Sequence, residues 1–128
     1  MMHADSAMLN DLSGRVIGCA FTVLNTPGVG FLEKVHENAL ANELRAAGFV
    51  AVRQCGVKVH YNNEVVGEYF ADSLVEDMLL VELKTVKALD DAHSMQCTNY
   101  LKASGLRLCL LLDFGKPRLE IKRVVHGI

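Results

Sequence analysis

Leu79–Val86 reads Leu-Leu-Val-Glu-Leu-Lys-Thr-Val, a run that is apolar and β-branched enough to predict a buried strand. Glu82 and Lys84 interrupt this run with a carboxylate and an ammonium group. Because strand side chains alternate between faces, these two charges project from one face while Val81 and Leu83 project from the other. A buried charge is costly unless it is paired or binds a metal. The strand therefore predicts either a structural ion pair or a functional site.

The chain has 128 residues, the size of one domain with a single hydrophobic core. No apolar run approaches the about 20 residues that cross a bilayer, so we expect no membrane association. Met1–Asn10 has no basic region and no long apolar core, which argues against a secretory signal. The four cysteines lie in apolar or periodic segments without C-x-x-C spacing, a pattern typical of buried thiols in a reducing compartment. We therefore expect a cytoplasmic protein.

The charge distribution limits the kind of nucleic-acid binding that the chain can support. A formal net charge of −2 argues against a protein that coats nucleic acid nonspecifically, but it does not exclude an enzyme. Glu64–Glu82 contains six acids and no base, whereas basic residues dominate after Gly115. This asymmetry suits a cation site beside a basic rim, and it is equally typical of solvated strand faces with alternating charge.

The hydrophobic periodicity predicts an α/β domain in which helices flank a mixed sheet. Helices are predicted at about 6–25, 31–47 and 90–104, and strands at about 50–61, 64–75, 79–86, 106–114 and 119–125. Asn62-Asn63 predicts a tight turn between the first two strands, which then form a hairpin. Because a helix separates the third and fourth strands, we expect these two strands to be parallel and joined by a right-handed crossover. The last strand is expected at or near an edge of the sheet.

Polar residues also occur in other predicted elements. Asp72 lies in the apolar part of the second strand, next to the predicted position of Glu82, so the two carboxylates are expected to converge. Glu33 lies on the flank of the apolar stripe of the second helix, although an acid in a first turn also favours the positive helix end for its own sake. Gln96 and Tyr100 share one face of the third helix.

These residues together resemble a known family. Asp72, nine intervening residues and then Glu82-Leu83-Lys84 resemble the signature of the PD-(D/E)XK nuclease superfamily. Gln96-x-x-x-Tyr100 is similar to the Q-x-x-x-Y helix of the RecB-type exonuclease branch. More narrowly, residues 12–125 resemble the small bacterial proteins called the GxxExxY family, whose motif stands here as Gly30-Phe-Leu-Glu33-Lys-Val-His36. His36 replaces the Tyr of that motif. Further matches are Gln54, Gly67–Asp72, Val81–Lys84, Gln96–Lys102, Phe114-Gly115 and Lys122-Arg123.

The resemblance implies a restriction-endonuclease-like fold over residues 12–128, preceded by an N-terminal segment, 1–11, that includes the start of the first helix. It implies a nuclease that hydrolyses phosphodiester bonds with Mg²⁺, or with Mn²⁺ in its place, and it favours DNA over RNA as the substrate. Whether the nucleic acid is single or double stranded, and whether it is cut at ends or internally, stays open.

The resemblance also implies a role for each site residue. Asp72, Glu82 and the backbone carbonyl of Leu83 would bind the metal ion, and Glu33 would complete the ligand set directly or through water. Lys84 would orient or deprotonate the attacking water and stabilise the developing charge. Gln96 and Tyr100 would orient these groups or contact the substrate.

Alternatives remain open at this point. A non-catalytic nucleic-acid-binding or regulatory domain would retain the same fold, since fold alone does not establish activity. The third helix also carries His93 and Cys97, four residues apart, which would suit a zinc or thiol site. The ordinary alternative is that both residues only pack the helix. Hydrophobic residues make up 51% of the chain. A small domain with this much apolar surface is expected to form a homodimer.

Overall fold

A computed structural model describes residues 6–26 and 32–127, which form three helices and a five-stranded sheet. The helices are α1 (Ser6–Asn25), α2 (Glu33–Ala46) and α3 (Asp91–Ser104), and the strands are β1 (Ala51–Tyr61), β2 (Glu64–Val75), β3 (Leu79–Lys84), β4 (Leu108–Asp113) and β5 (Glu120–Val125). All the predicted elements are present, with differences only at their ends. Gly28, Gly30 and Phe31, which belong to the motif around Glu33, lie outside the described residues. Within the described ranges, no helix combines the length and the apolar character needed to span a bilayer.

The strands are arranged in the order β1-β2-β3-β4-β5. β2 and β3 are antiparallel, β3 and β4 are parallel, and β4 and β5 are antiparallel. α3 connects the two parallel strands, and β5 lies at an edge. The mixed sheet with helices confirms the predicted fold class.

The two faces of the sheet are covered by different helices. α1 and α2 pack on one face, where Leu79, Val81 and Leu83 of β3 join a large apolar cluster. α3 packs on the other face, where Leu80 joins a smaller cluster. Burying each such side chain contributes about 1.5–3 kcal/mol, so β3 is stabilised from both sides. Because side chains alternate along the strand, Glu82 projects toward α3.

The β1–β2 hairpin extends well beyond the rest of the sheet. β2 pairs with β3 only over Ser73–Val75, but it pairs with β1 along nearly its whole length. Asn62 and Asn63 have φ values of 48° and 65°, which are the left-handed values that a tight hairpin turn requires. The hairpin therefore forms a two-stranded arm, residues 55–71, whose outer part stands clear of β3.

The cysteines differ from the expectation in part. All four are free thiols, and Cys97 and Cys109 are buried as predicted. Cys19 and Cys55 are only partly buried, so the prediction is wrong for these two. Cys55 is only partly buried because it lies on β1, the edge strand that forms one side of the arm.

Candidate active site

The site forms where β2 and β3 separate. Their ladder ends at the pair Ser73↔Val81, and the next residue on each strand is an acid, Asp72 or Glu82. The Asp72 N–H donates to Glu82 Oε1 at 3.2 Å, and the Leu83 N–H donates to Asp72 Oδ2 at 2.7 Å. Each carboxylate thus accepts a hydrogen bond from the backbone of the opposite strand. The structure brings together the two acids whose convergence the sequence predicts.

Burial sets the electrostatics of this pair. Asp72 and Glu82 expose only 9% and 5% of their surface. Burial, followed by the charge of Asp72, raises the pKa of Glu82 from 4.5 to about 7. Burial also raises the pKa of Asp72, while the hydrogen bond from Leu83 opposes that increase. A cation bound beside the pair would favour the ionised form of both carboxylates.

Lys84 and Tyr100 both approach Glu82. The Lys84 Nζ lies 3.9 Å from Glu82 Oε2, and the Tyr100 hydroxyl donates to the same oxygen at 3.3 Å. Burial and the neighbouring Glu82 charge raise the pKa of Tyr100 above its ordinary value, so the phenol stays protonated and remains a donor. Glu82 is therefore held from β2, from its own strand and from α3, while Lys84 retains partial access to solvent.

Glu33 approaches the same region from the opposite face of the sheet. It is the first residue of α2, it is partly buried, and its carboxylate accepts a hydrogen bond from the Thr85 backbone. Burial and then the Asp72 charge raise its pKa, and the Lys84 charge opposes the increase. In the part of the chain that the structure describes, no three His, Cys, Asp or Glu side chains group closely enough to hold a metal ion. Glu33 thus lies beside the Asp72–Glu82 pair without forming such a group with it.

The remaining predicted residues lie on α3. Gln96 is partly buried and lies one helical turn before Tyr100, on the same face. His93 forms a capping box with Asp90: its Nδ1 accepts from the Asp90 N–H at 3.1 Å, and its own N–H donates to Asp90 Oδ1 at 3.2 Å. Cys97 is fully buried in the cluster between α3 and the sheet. Helix capping and packing therefore account for His93 and Cys97, and no group of metal-ligating side chains forms around them among residues 6–26 and 32–127.

His36, the residue that departs from the GxxExxY pattern, is part of the core. It is fully buried, and its ring stacks on Phe114 with centroids 4.9 Å apart and an interplanar angle of 14°. Burial lowers the pKa of His36, which favours the neutral imidazole. The His36 ring thus packs in the core against the ring of Phe114.

Two further residues connect α2 to Asp72, and the sequence alone gave them no role. The buried Glu37 accepts from Gln54 Nε2 at 3.2 Å and from Arg53 at 2.9 Å. Gln54 also hydrogen-bonds Asp72 through its side chain. Its φ of 49° is left-handed, and it lies between the pairs Arg53↔Ser73 and Cys55↔Ala71, opposite Asp72. Glu37 is four residues after Glu33, so both lie on one helix face. That spacing is the sequence feature that could have indicated a role for Glu37 near the site.

The turn after Lys84 is held by the end of β4. The fully buried Asp113 accepts through Oδ1 from the N–H groups of Val86, at 3.0 Å, and Gly115, at 2.9 Å. The Phe114 N–H donates to the Lys84 carbonyl at 2.9 Å. A Cβ atom at Gly115 would lie 2.6 Å from the Val86 nitrogen, so only glycine fits this close approach. These contacts fix the backbone around Lys84, from which its side chain extends.

Comparison with known proteins agrees with this geometry. A sequence profile of the PD-(D/E)XK nuclease superfamily matches residues 10–124. The crystal structure of a protein called SSO0001 shares the fold at 16% identity and a TM-score of 0.61, over 86% of this chain and 57% of that one. The alkaline exonuclease LHK-Exo of Laribacter hongkongensis is similar at 13% identity and a TM-score of 0.55, over 98% of this chain and 73% of that one. This chain thus spans little more than half of SSO0001. No curated protein matches it significantly.

Proposed function

Because the chain belongs to the PD-(D/E)XK nuclease superfamily, we propose that it is a metal-dependent nuclease that hydrolyses phosphodiester bonds of nucleic acid. The observation that carries this proposal is the buried pair Asp72 and Glu82, joined through backbone hydrogen bonds and adjacent to the Lys84 ammonium. A pair of buried acids with raised pKa values is costly unless it serves a purpose such as binding a cation.

The donor set fits a hard divalent cation such as Mg²⁺ or Mn²⁺, the kind of metal that nucleases of this superfamily generally use. Asp72, Glu82 and the backbone carbonyl of Leu83 would hold it. Glu33 would contribute through water, because it forms no three-acid group with the pair among the described residues. Such a metal, when bound, supplies positive charge to the scissile phosphate and lowers the pKa of its water.

Lys84 would act directly on the reaction. Its ammonium is near Glu82 and partly accessible to solvent, so it can orient the attacking water and stabilise negative charge that develops on the phosphate. Tyr100 would keep the Glu82 carboxylate in position through its hydroxyl. Gln96, one turn earlier on the same face, would orient these groups or contact the substrate.

A nuclease panel tests this function. Matched single-stranded and duplex DNA and RNA are incubated with the protein in Mg²⁺, in Mn²⁺ and in EDTA. We expect cleavage that requires the metal, that is lost in Asp72→Asn, and that is unchanged in Asp11→Asn, where an exposed acid on α1 is neutralised in the same way. A folded protein that binds nucleic acid and cleaves none of these substrates would instead be the non-catalytic binding or regulatory domain.

We extend the proposal to substrate, assembly and location. The preference for DNA over RNA rests on the family resemblance. A homodimer is supported by the large apolar side chains that the arm exposes, among them Val65 and Val66. The four free cysteines suit a reducing compartment such as the cytoplasm.

A further inference from the structure

A cleft separates the arm from α3. It has a volume of about 480 Å³ and is lined by Val59, His60, Tyr69, Asn99, Lys102 and Ala103. We call it the α3 cleft. The β1–β2 register shifts between Val59 and His60, and a bulge of this kind increases the local twist of a hairpin. The volume lies within the range of about 300–1,000 Å³ that is usual for small-molecule sites.

The α3 cleft adjoins the candidate active site through two aromatic rings. The Tyr69 ring contacts the Tyr100 ring, with centroids 5.5 Å apart and an angle of 58° between the planes. Tyr100 in turn donates its hydroxyl hydrogen bond to Glu82. A ligand in the cleft would thus be connected to the carboxylate pair through the Tyr69 and Tyr100 rings.

The lining of the cleft suits a nucleotide. Tyr69 is 40% exposed, which leaves part of its ring open to a ligand. Lys102 supplies an exposed ammonium group, and Asn99, one turn earlier on α3, supplies an amide. None of the described residues that line the cleft is acidic. An aromatic platform beside a cationic side chain is the combination that binds single-stranded nucleic acid without sequence preference.

We propose that the α3 cleft binds an unpaired nucleotide of the substrate strand next to the scissile phosphate, with its base stacked on Tyr69 and its phosphate contacted by Lys102. This inference rests on the proposed nuclease function and deepens it. A base reaches a side-chain ring only when it is unpaired and unstacked from its neighbours. The preferred substrate is therefore a single strand, or a duplex end that has frayed.

Binding in EDTA tests the inference separately from catalysis, because the chelator removes the metal on which cleavage depends. Fluorescence anisotropy of a labelled single-stranded oligonucleotide measures the dissociation constant. We expect Tyr69→Leu to weaken binding by about 5- to 150-fold, the range for one lost base–aromatic stack. Tyr69→Phe should retain wild-type affinity, because it keeps the ring. In Tyr69→Leu, the affinity for a blunt duplex should change less than the affinity for the single strand.

A matched control lies at the next position. Phe70 is 54% exposed and, by strand alternation, faces away from α3, so Phe70→Leu removes a neighbouring aromatic ring outside the cleft. We expect it to bind like the wild type. Equal losses in Tyr69→Leu and Phe70→Leu, or wild-type affinity in Tyr69→Leu, would overturn the proposal. So would a wild-type protein that binds no single strand.

The cationic contact gives a second readout that does not depend on the stability of Tyr69→Leu. Removing one phosphate contact should reduce the slope of log K against log salt by about 0.7 for a single strand. We expect this reduction in Lys102→Gln and not in Lys122→Gln, whose lysine is exposed on the edge strand β5. An unchanged slope in Lys102→Gln would contradict the assigned contact.

The outcomes separate the two proposals. Single-strand binding that depends on Tyr69, without cleavage in Mg²⁺ or Mn²⁺, would support the cleft and refute the nuclease. Metal-dependent cleavage with binding that is indifferent to Tyr69 would support the nuclease and refute the cleft.

Discussion

The Asp72 N–H donates a hydrogen bond to the Glu82 carboxylate at 3.2 Å, across the point where β2 and β3 separate. The return bond, from the Leu83 N–H to Asp72, makes the contact reciprocal. Both acids are therefore fixed in place by backbone groups before any ligand binds. Such preorganisation is what a metal site needs, because the cost of bringing like charges together is met during folding.

Metal binding should raise thermal stability. A ligand that binds only the folded state stabilises it by about 2.7 kcal/mol at a concentration 100-fold above its Kd. We expect Mg²⁺ or Mn²⁺ to raise the melting temperature of the wild type. Asp72→Asn should abolish most of that rise while leaving the metal-free protein at least as stable, because one of two repelling charges is gone. An equal metal response in Asp72→Asn would place the site elsewhere.

The metal-free protein should lose stability as the pH rises. Because the folded state holds the pKa of Glu82 at about 7, against 4.5 ordinarily, it binds the proton more tightly than the unfolded state does. The resulting stability is fully present below pH 4.5 and is lost as the pH rises through about 7. The loss should be about 3 kcal/mol across this window.

Urea unfolding midpoints across the pH range measure this effect. Glu82→Gln should remove most of the decline, since the amide does not titrate. Parallel pH profiles for the wild type and Glu82→Gln would show that Glu82 does not bind the extra proton.

Gln54 should position Asp72 rather than stabilise the fold. Gln54→Gly removes the amide that bonds both Asp72 and Glu37, and it also relieves a left-handed backbone that costs a non-glycine residue about 1–3 kcal/mol. These effects oppose one another, so the melting temperature should change little. Metal affinity should fall by about 10- to 100-fold, the usual effect of losing a group that orients a ligand.

Asn63→Gly is the control for Gln54→Gly, because Asn63 has a φ of 65° in the hairpin turn. It places glycine at a left-handed position far from the site, so metal affinity, measured by calorimetric titration, should not change. A Gln54→Gly protein with wild-type metal affinity would show that Asp72 needs no such support.

The sequence predicts the elements well because hydrophobic periodicity reports local burial. α1 and β2 have the predicted bounds, and the convergence of Asp72 and Glu82 follows from antiparallel pairing of neighbouring strands. β3 ends at Lys84 rather than at the predicted Val86, since its partner β4 ends opposite it, at Asp113. The boundary at residue 12, between the N-terminal segment and the domain, stays a prediction.

The rest of the site depends on tertiary contacts that no local pattern encodes. Gln54 combines a left-handed φ with side-chain hydrogen bonds to Glu37 and Asp72, which lie on two different elements. The stacking of His36 on Phe114 joins residues from α2 and from the end of β4. The α3 cleft likewise forms only when the arm and α3 are brought together.

The role of Lys84 distinguishes an enzyme from a protein that only retains the fold. If Lys84 acts on the water or on the developing phosphate charge, Lys84→Ala should still be stabilised by metal but should lose about 10²- to 10³-fold in turnover. If it is only the partner of Glu82, its removal strands a buried charge and costs about 3–5 kcal/mol of stability, without a selective effect on hydrolysis.

The most direct test is the rate of Mg²⁺-dependent cleavage by Lys84→Ala, measured at saturating metal beside the wild type. A shared metal-induced rise in melting temperature shows that both proteins are folded and loaded. The nuclease account predicts a rate lower by about 10²- to 10³-fold in the variant. A Lys84→Ala protein that cleaves as fast as the wild type would contradict it.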